Sequence, residues 1–164
     1  MFISLRNSTP ADEEFLYAVY ASARADELAL TDWSAAQKES FLRMQFEAQA
    51  SYYTENYPGA EFQVILFDDK PVGRLYLHRR RDEIRIMDIA LLPEFRGRGI
   101  GSSLLHEIMN EARPANLRVT IHVERMNPAL RLYERLGFCL LEERGVYFLM
   151  EWKPLVAEQT VHAG

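Results

Sequence analysis

The sequence predicts a mixed α/β fold of α+β character: a predominantly antiparallel sheet with one parallel crossover and helices on both faces. Two observations carry this. Hydrophobic periodicity changes along the chain in the order strand, two helices, three strands, helix, strand, helix, two strands. The three consecutive strands are joined by short turns and so pair antiparallel, whereas a helix between residues 92 and 117 implies a parallel crossover. The 164 residues suit one domain with a substantial core. That domain is expected over residues 1–155, with residues 156–164 a loosely held tail.

The elements follow in order. "FISLR" (residues 2–6) alternates and reads as a strand. Thr9 can then cap a helix, with Pro10 at its first position and acids in its first turn. Phe15, Leu16 and Val19 recur there at helical spacing. A second helix starts at Ser34, which has capping-box spacing to Gln37. It carries Phe41, Leu42, Met44 and Phe46, runs to about Tyr53 and is broken by "NYPGA" (residues 56–60). "FQVILF" (62–67) and "VGRLYLH" (72–78) flank the turn "DDKP"; "RRRDE" turns the chain into "IRIMDIALL" (84–92). Past a glycine-rich loop come an amphipathic helix, "SSLLHEIMNEA" (102–112), and a strand, "LRVTIHV" (117–123). "NPALRLYERLG" (127–137) is a helix with a glycine stop, and "FCLLEE" and "VYFLMEW" form a last hairpin.

Composition narrows the function. A formal net charge of -5 gives no global attraction to nucleic acid or anionic membrane. The basic run "HRRRD" (78–82) is short and reads as a solvated hairpin tip. Cys139 is the one cysteine, so there is no intrachain disulfide and no CxxC pair. The N-terminus lacks a basic segment followed by a long apolar one, and no apolar run approaches the roughly 20 residues that span a bilayer. The four histidines show no ligand spacing, so no metal is expected. These features point to a cytoplasmic protein without a nucleic-acid or membrane partner; the oligomeric state, a homodimer included, is not specified.

"PEFRGRGIGSSLL" carries the chemistry. Gly97, Gly99 and Gly101 lie on alternate positions between a strand end and a helix start. Unpaired N–H groups and the helix dipole favour an anion there, and glycine removes the Cβ atoms that would keep it away. Arg96 and Arg98 can add charge-assisted contacts. The competing explanation is a tight turn that needs glycine only for positive φ. Neither GxxxxGK[ST] nor GxGxxG fits the segment.

The arrangement Arg96-x-x-Gly99-x-Gly101 resembles the Q/R-x-x-G-x-G/A signature of the GCN5-related N-acetyltransferases. "NPALRLYERLGF" (127–138) resembles the later motif of the same family, with Asn127, Tyr133 and Gly137-Phe138 in matching places. The element order agrees over nearly the whole chain. The resemblance implies the acyl-CoA N-acyltransferase fold, with acetyl-CoA lying between the strand before the glycine loop and the strand after it. It implies that the backbone of Ile89, Ala90 and Leu91 pairs with the pantetheine arm, and that an N–H near Leu91 polarises the thioester carbonyl. Arg96, Gly97, Arg98, Gly99, Ile100, Gly101 and Ser102 would hold the pyrophosphate, and Asn127 would add a polar contact to CoA or act as a plain helix cap.

Acetyl transfer to an amine requires an amine that has lost its proton, donors for the oxyanion, and a thiolate that can leave. Tyr133 is the candidate general acid toward that thiolate, against its reading as a core aromatic. His122 is a candidate base with a suitable ordinary pKa, or else a structural histidine; Glu124 shares its strand face and could pair with it. Asp88 sits in an apolar stretch and should be paired, hydrogen-bonded or in a cleft. It could be the base, bind the amine, or pair with Arg85 or Arg118. Glu83 lies near a position where histone-type relatives carry their base, but the aligned spacing falls closer to Arg85.

The first two helices and the last hairpin supply Asp26, Glu27, Asp32, Trp33, Phe46, Glu47, Tyr52, Tyr53 and Tyr147, acids and aromatics that suit a cationic amine acceptor. The leading expectation is an acetyl-CoA-dependent N-acetyltransferase with an amine acceptor and no metal. The rival from another class is a module that binds CoA without turnover.

Overall fold

The computed structural model describes residues 2–155, so the expected tail at 156–164 lies outside the described residues. The elements come in the expected order: β1 (Ile3–Asn7), α1 (Glu13–Ala29), α2 (Ala35–Asn56), β2 (Glu61–Phe67), β3 (Lys70–Arg79), β4 (Glu83–Leu91), α3 (Ile100–Ala112), β5 (Arg118–Glu124), α4 (Leu130–Arg135), β6 (Cys139–Arg144) and β7 (Tyr147–Trp152). The strands form one mostly antiparallel sheet in the order β1-β2-β3-β4-β5-β7-β6. The parallel pair is β4 with β5, the two strands that α3 connects.

By contact density the chain divides into two compact units. Of the described residues, 2–76 and Ile89–Ile100 make up the first. Leu16, Tyr20 and Leu28 of α1, Leu42 and Phe46 of α2 and Val64 of β2 form a common core there. Their helical spacing is what makes α1 and α2 bury one side each. The helix starts follow their capping signals. The Thr9 N–H donates to Asp12 Oδ2 at 2.8 Å, and Arg6 grips the same carboxylate with both Nη atoms at 2.8 Å. The Ser34 N–H donates to Gln37 Oε1 at 2.8 Å, while Ser34 Oγ accepts from the Gln37 N–H at 3.2 Å. α2 runs three residues past Tyr53, since the Tyr57 N–H still bonds the Tyr53 carbonyl at 2.9 Å. The β2–β3 turn places Asp68 and Asp69 at φ 48° and 66°. This is the left-handed geometry that a two-residue hairpin turn requires and that aspartate tolerates.

Of the described residues, 77–88 and 101–155 make up the second unit. Its buried residues include Leu104, Leu105, Ile108, Met109 and Ala112 of α3, on one helical face, and Val119, Ile121 and Val123 of β5. Registers Glu83↔Arg118 to Ile86↔Ile121 and Val119↔Trp152 to Glu124↔Tyr147 fix which side chains share a sheet face. Glu83, Arg85, Thr120, His122 and Glu124 belong to one face; Ile84, Ile86, Asp88 and Ile121 belong to the other. The helix expected from residue 127 is shorter. Asn127 Oδ1 accepts from the Ala129 N–H at 2.8 Å, which closes a turn ahead of α4 at Leu130. α4 ends on Gly137 at φ 101°, with the Phe138 N–H bonded back to the Tyr133 carbonyl at 3.0 Å.

Candidate active site

The glycine loop follows a 3-10 turn, Pro93–Phe95, and leads directly into α3. Gly97 and Gly99 sit at φ 73° and 81°, a conformation that disfavours any side chain. Gly101 differs. It lies in the first turn of α3 without positive φ, and among the described residues no atom beyond its chain neighbours and its own helix backbone lies within 4 Å of where its Cβ would stand. Neither backbone conformation nor protein packing therefore accounts for a glycine there. The bare first turn leaves helix N–H groups open to an anion. Ile100 is fully buried and anchors the helix start, while Ser102 is half-buried beside it.

The two arginines of the loop have local partners. Arg96 Nε donates to the Leu91 carbonyl at 3.0 Å, and the Arg98 guanidinium lies 5.2 Å from the centre of the Phe95 ring. Lys70 Nζ approaches the same ring at 5.3 Å. Ile89, Ala90 and Leu91 are half-buried. The Leu92 N–H bonds the Val72 carbonyl of β3 at 2.9 Å.

In the second unit, Tyr133 is 4% exposed and its ring meets Phe138 edge-on at 6.0 Å. Burial, and after it the charge of Asp88, pushes the phenol pKa well above its ordinary value. Tyr133 is thus held protonated. Among the described residues no group hydrogen-bonds its hydroxyl. Asp88 is half-buried and electrostatically coupled to Tyr133.

His122 faces the other way. Its Nε2 lies 3.1 Å from Arg144 Nη1, and a guanidinium can only donate, so the imidazole is neutral with its proton on Nδ1. Half-burial lowers the His122 pKa, the charges of Arg85 and Arg144 lower it further, and Glu142 and Glu83 oppose them. A His122–Glu124 hydrogen bond is not formed.

Glu83 is 3% exposed and fully engaged. It accepts from the Thr120 hydroxyl and from Arg80 Nη1 at 3.0 Å, while Thr120 Oγ1 accepts from Arg85 Nε at 2.6 Å. Burial works to raise the Glu83 pKa, but Thr120, Arg85, Arg80 and Arg118 outweigh it, so the net shift is downward. Such a carboxylate is a structural acceptor rather than a base. Arg118 also grips Glu151 Oε2 at 2.6 Å. Arg85 and Arg118 therefore do not serve Asp88, which the register puts on the opposite sheet face.

Of the aromatics expected at the acceptor end, Phe46 is a core residue, stacked edge-on with Tyr17 and Tyr20. Trp33 instead lines an open groove of about 530 Å³ with Ala36, Gln37, Ser40 and Phe41. Sequence reasoning missed Arg144, whose approach to His122 depends on the β5–β7–β6 register. It also missed Gly73, although a glycine inside a strand is itself a signal of close backbone approach. Among the described residues no helix is long and apolar enough to cross a membrane, and no group of three or more His, Cys, Asp or Glu could hold a metal ion.

Comparison with known proteins adds to this geometry. The family model described as acetyltransferase (GNAT) matches residues 23–138. A mycothiol acetyltransferase from Nocardiopsis dassonvillei is 33% identical over 63 residues, 38% of this chain. The match spans 19% of that relative's length. Among solved structures, a PaiA N-acetyltransferase from Thermoplasma acidophilum in complex with coenzyme A superposes with a TM-score of 0.71 at 22% identity, over 93% of this chain and 99% of that one. The ribosomal-protein-S18-alanine N-acetyltransferase from Escherichia coli gives 0.65 at 16% identity, over 96% and 97%. At these identities the superpositions show the fold.

Proposed function

The chain belongs to the acetyltransferase (GNAT) family, and from that premise we propose that it transfers the acetyl group of acetyl-CoA to a primary amine by direct attack in a ternary complex. The observation that carries the donor is Gly101, a glycine that neither conformation nor packing requires, at a helix N-terminus suited to phosphate. Gly97 to Ser102 hold the pyrophosphate, with Arg98 and the Nη atoms of Arg96 adding charge. The backbone of Ile89, Ala90 and Leu91 pairs with the pantetheine arm. Asn127 is exposed and spends its Oδ1 on Ala129, which leaves its amide N–H groups for CoA.

The amine nitrogen attacks the thioester carbonyl carbon, and the Leu91 N–H donates to the oxygen as it gains charge. The C–N bond forms and the C–S bond breaks. A lysine-like amine has a pKa of about 10.4 and a thiol about 8.5, so removing the amine proton is the more demanding transfer. His122, neutral at pH 7, takes that proton; doing so at Nε2 requires Arg144 to leave it. Tyr133, kept protonated by its burial first and by the Asp88 charge second, gives its proton to the thiolate. The products are an N-acetyl amine and CoA.

The similar proteins are named for different compounds, mycothiol in one and a ribosomal-protein alanine in another. The acceptor here is accordingly taken as a primary amine and no further. The donor assignment is tested by thermal unfolding with acetyl-CoA. Ligand at about 100 times its Kd should stabilise the fold by about 2.7 kcal/mol. An unchanged melting temperature at millimolar acetyl-CoA would remove the donor from the account.

A further inference from the structure

We propose that Gly73 of β3 is a positioning residue that sets the tilt of the peptide meeting the acyl group. The inference rests on the donor reading above. Glycine in mid-strand weakens a sheet unless something needs the space. Gly73 has no left-handed φ to explain it. An ideal Cβ there would stand 2.3 Å from the Ala90 carbonyl oxygen, 2.8 Å from Leu91 Cδ2 and 3.1 Å from Leu91 Cα, far inside van der Waals contact. The nearest of these atoms is backbone, which cannot turn aside as a side chain can.

The Ala90 carbonyl and the Leu91 N–H are the two ends of one planar trans peptide. They point in opposite directions, so displacing the oxygen tilts the N–H with it. That N–H is the oxyanion donor of the proposed reaction. The neighbouring backbone is pinned as well. Leu92 N–H bonds the Val72 carbonyl at 2.9 Å, and Arg96 Nε holds the Leu91 carbonyl at 3.0 Å. With the next peptide, Leu91–Leu92, tied at both its ends, the Ala90–Leu91 peptide is restrained on its C-terminal side, and the empty side of Gly73 leaves its carbonyl the room it occupies. Val72 and Arg74, on either side of Gly73, are fully buried, so β3 itself has little room to yield.

The Gly73→Ala variant tests this with two ligands. Acetyl-CoA reaches both the glycine loop and the 89–91 backbone; 3′-phosphoadenosine 5′-diphosphate carries the phosphates without the pantetheine arm. In Gly73→Ala, kcat should fall about 10²-fold, the scale of a lost oxyanion donor. Acetyl-CoA should bind about tenfold more weakly, roughly one lost hydrogen bond. Affinity for the diphosphate should not change. Equal weakening of both ligands would mean a general structural role and overturn the proposal, as would wild-type kcat and acetyl-CoA affinity. If Gly73→Ala fails to fold, Gly73→Ala with Leu91→Gly gives the backbone room to shift, and the same selective loss is expected relative to Leu91→Gly alone. If the double variant also fails to fold, the close approach is a folding requirement and the proposal falls. A wild-type chain that binds neither ligand refutes the donor reading itself, a result distinct from any of these.

Discussion

Tyr133 and His122 were both readable in the sequence as residues of chemical interest, but only their surroundings assign them a charge state. Tyr133 is protonated because it is buried beside Asp88. His122 is neutral because burial and two arginines disfavour its cation. The imidazole pKa therefore lies below its ordinary value of about 6.5. A base of this kind works above its pKa and fails as pH falls through it, so kcat/KM should show an acidic limb with a midpoint below that of free histidine. In Arg144→Gln one of the lowering charges is gone, and the midpoint should move to higher pH. The pH profiles of the wild type, Arg144→Gln and His122→Ala check this. A limb that ignores Arg144 and survives His122→Ala would transfer the proton to Asp88. Neither the Arg144 contact nor the opposed faces of His122 and Asp88 could be read from the sequence, since both follow from strand register.

Elements were the most legible level, because capping residues, turn residues and periodicity act locally. Ser34 with Gln37, Asp68-Asp69 and Gly137 each do what their types suggest. The exceptions have local causes too: α2 outlasts its expected end, and α4 begins late because Asn127 closes its own turn first. Arg6, Thr9 and Asp12 tie β1 to the start of α1. Arg6 first, and then the Thr9 N–H, holds the Asp12 carboxyl far below the usual carboxylate range. A depressed carboxyl contributes stability that is complete above its unfolded pKa of about 3.9 and is lost as pH falls through the folded value. Asp12→Asn should therefore be less stable than wild type at pH 7, with the gap narrowing below pH about 4. Denaturant unfolding at the two pH values measures this; a gap that stays constant with pH would mean that Asp12 acts by something other than its charge.

At the scale of the molecule, the hairpin-linked strands and the parallel crossover were legible from element order, whereas the β5-β7-β6 order was not; the sheet agrees with the fold of acetyltransferases of known structure. The glycine loop ahead of α3 was legible as a loop leading into a helix, because its glycines leave a pattern in sequence. The acceptor was not: its candidates come from long helices in which a core residue such as Phe46 and a groove residue such as Trp33 look alike until the chain is folded. The central claim is acetyl transfer to nitrogen. It is tested most directly by incubating the protein with acetyl-CoA and a panel of primary amines, following thiol release and the mass of each amine. The account predicts thiol release that depends on at least one amine, a mass gain of one acetyl group on that amine, and a large loss of kcat in Tyr133→Phe with CoA affinity retained. Tight acetyl-CoA binding with no acetylated amine and no amine-dependent thiol release would contradict it and leave a module that binds the cofactor without turning it over.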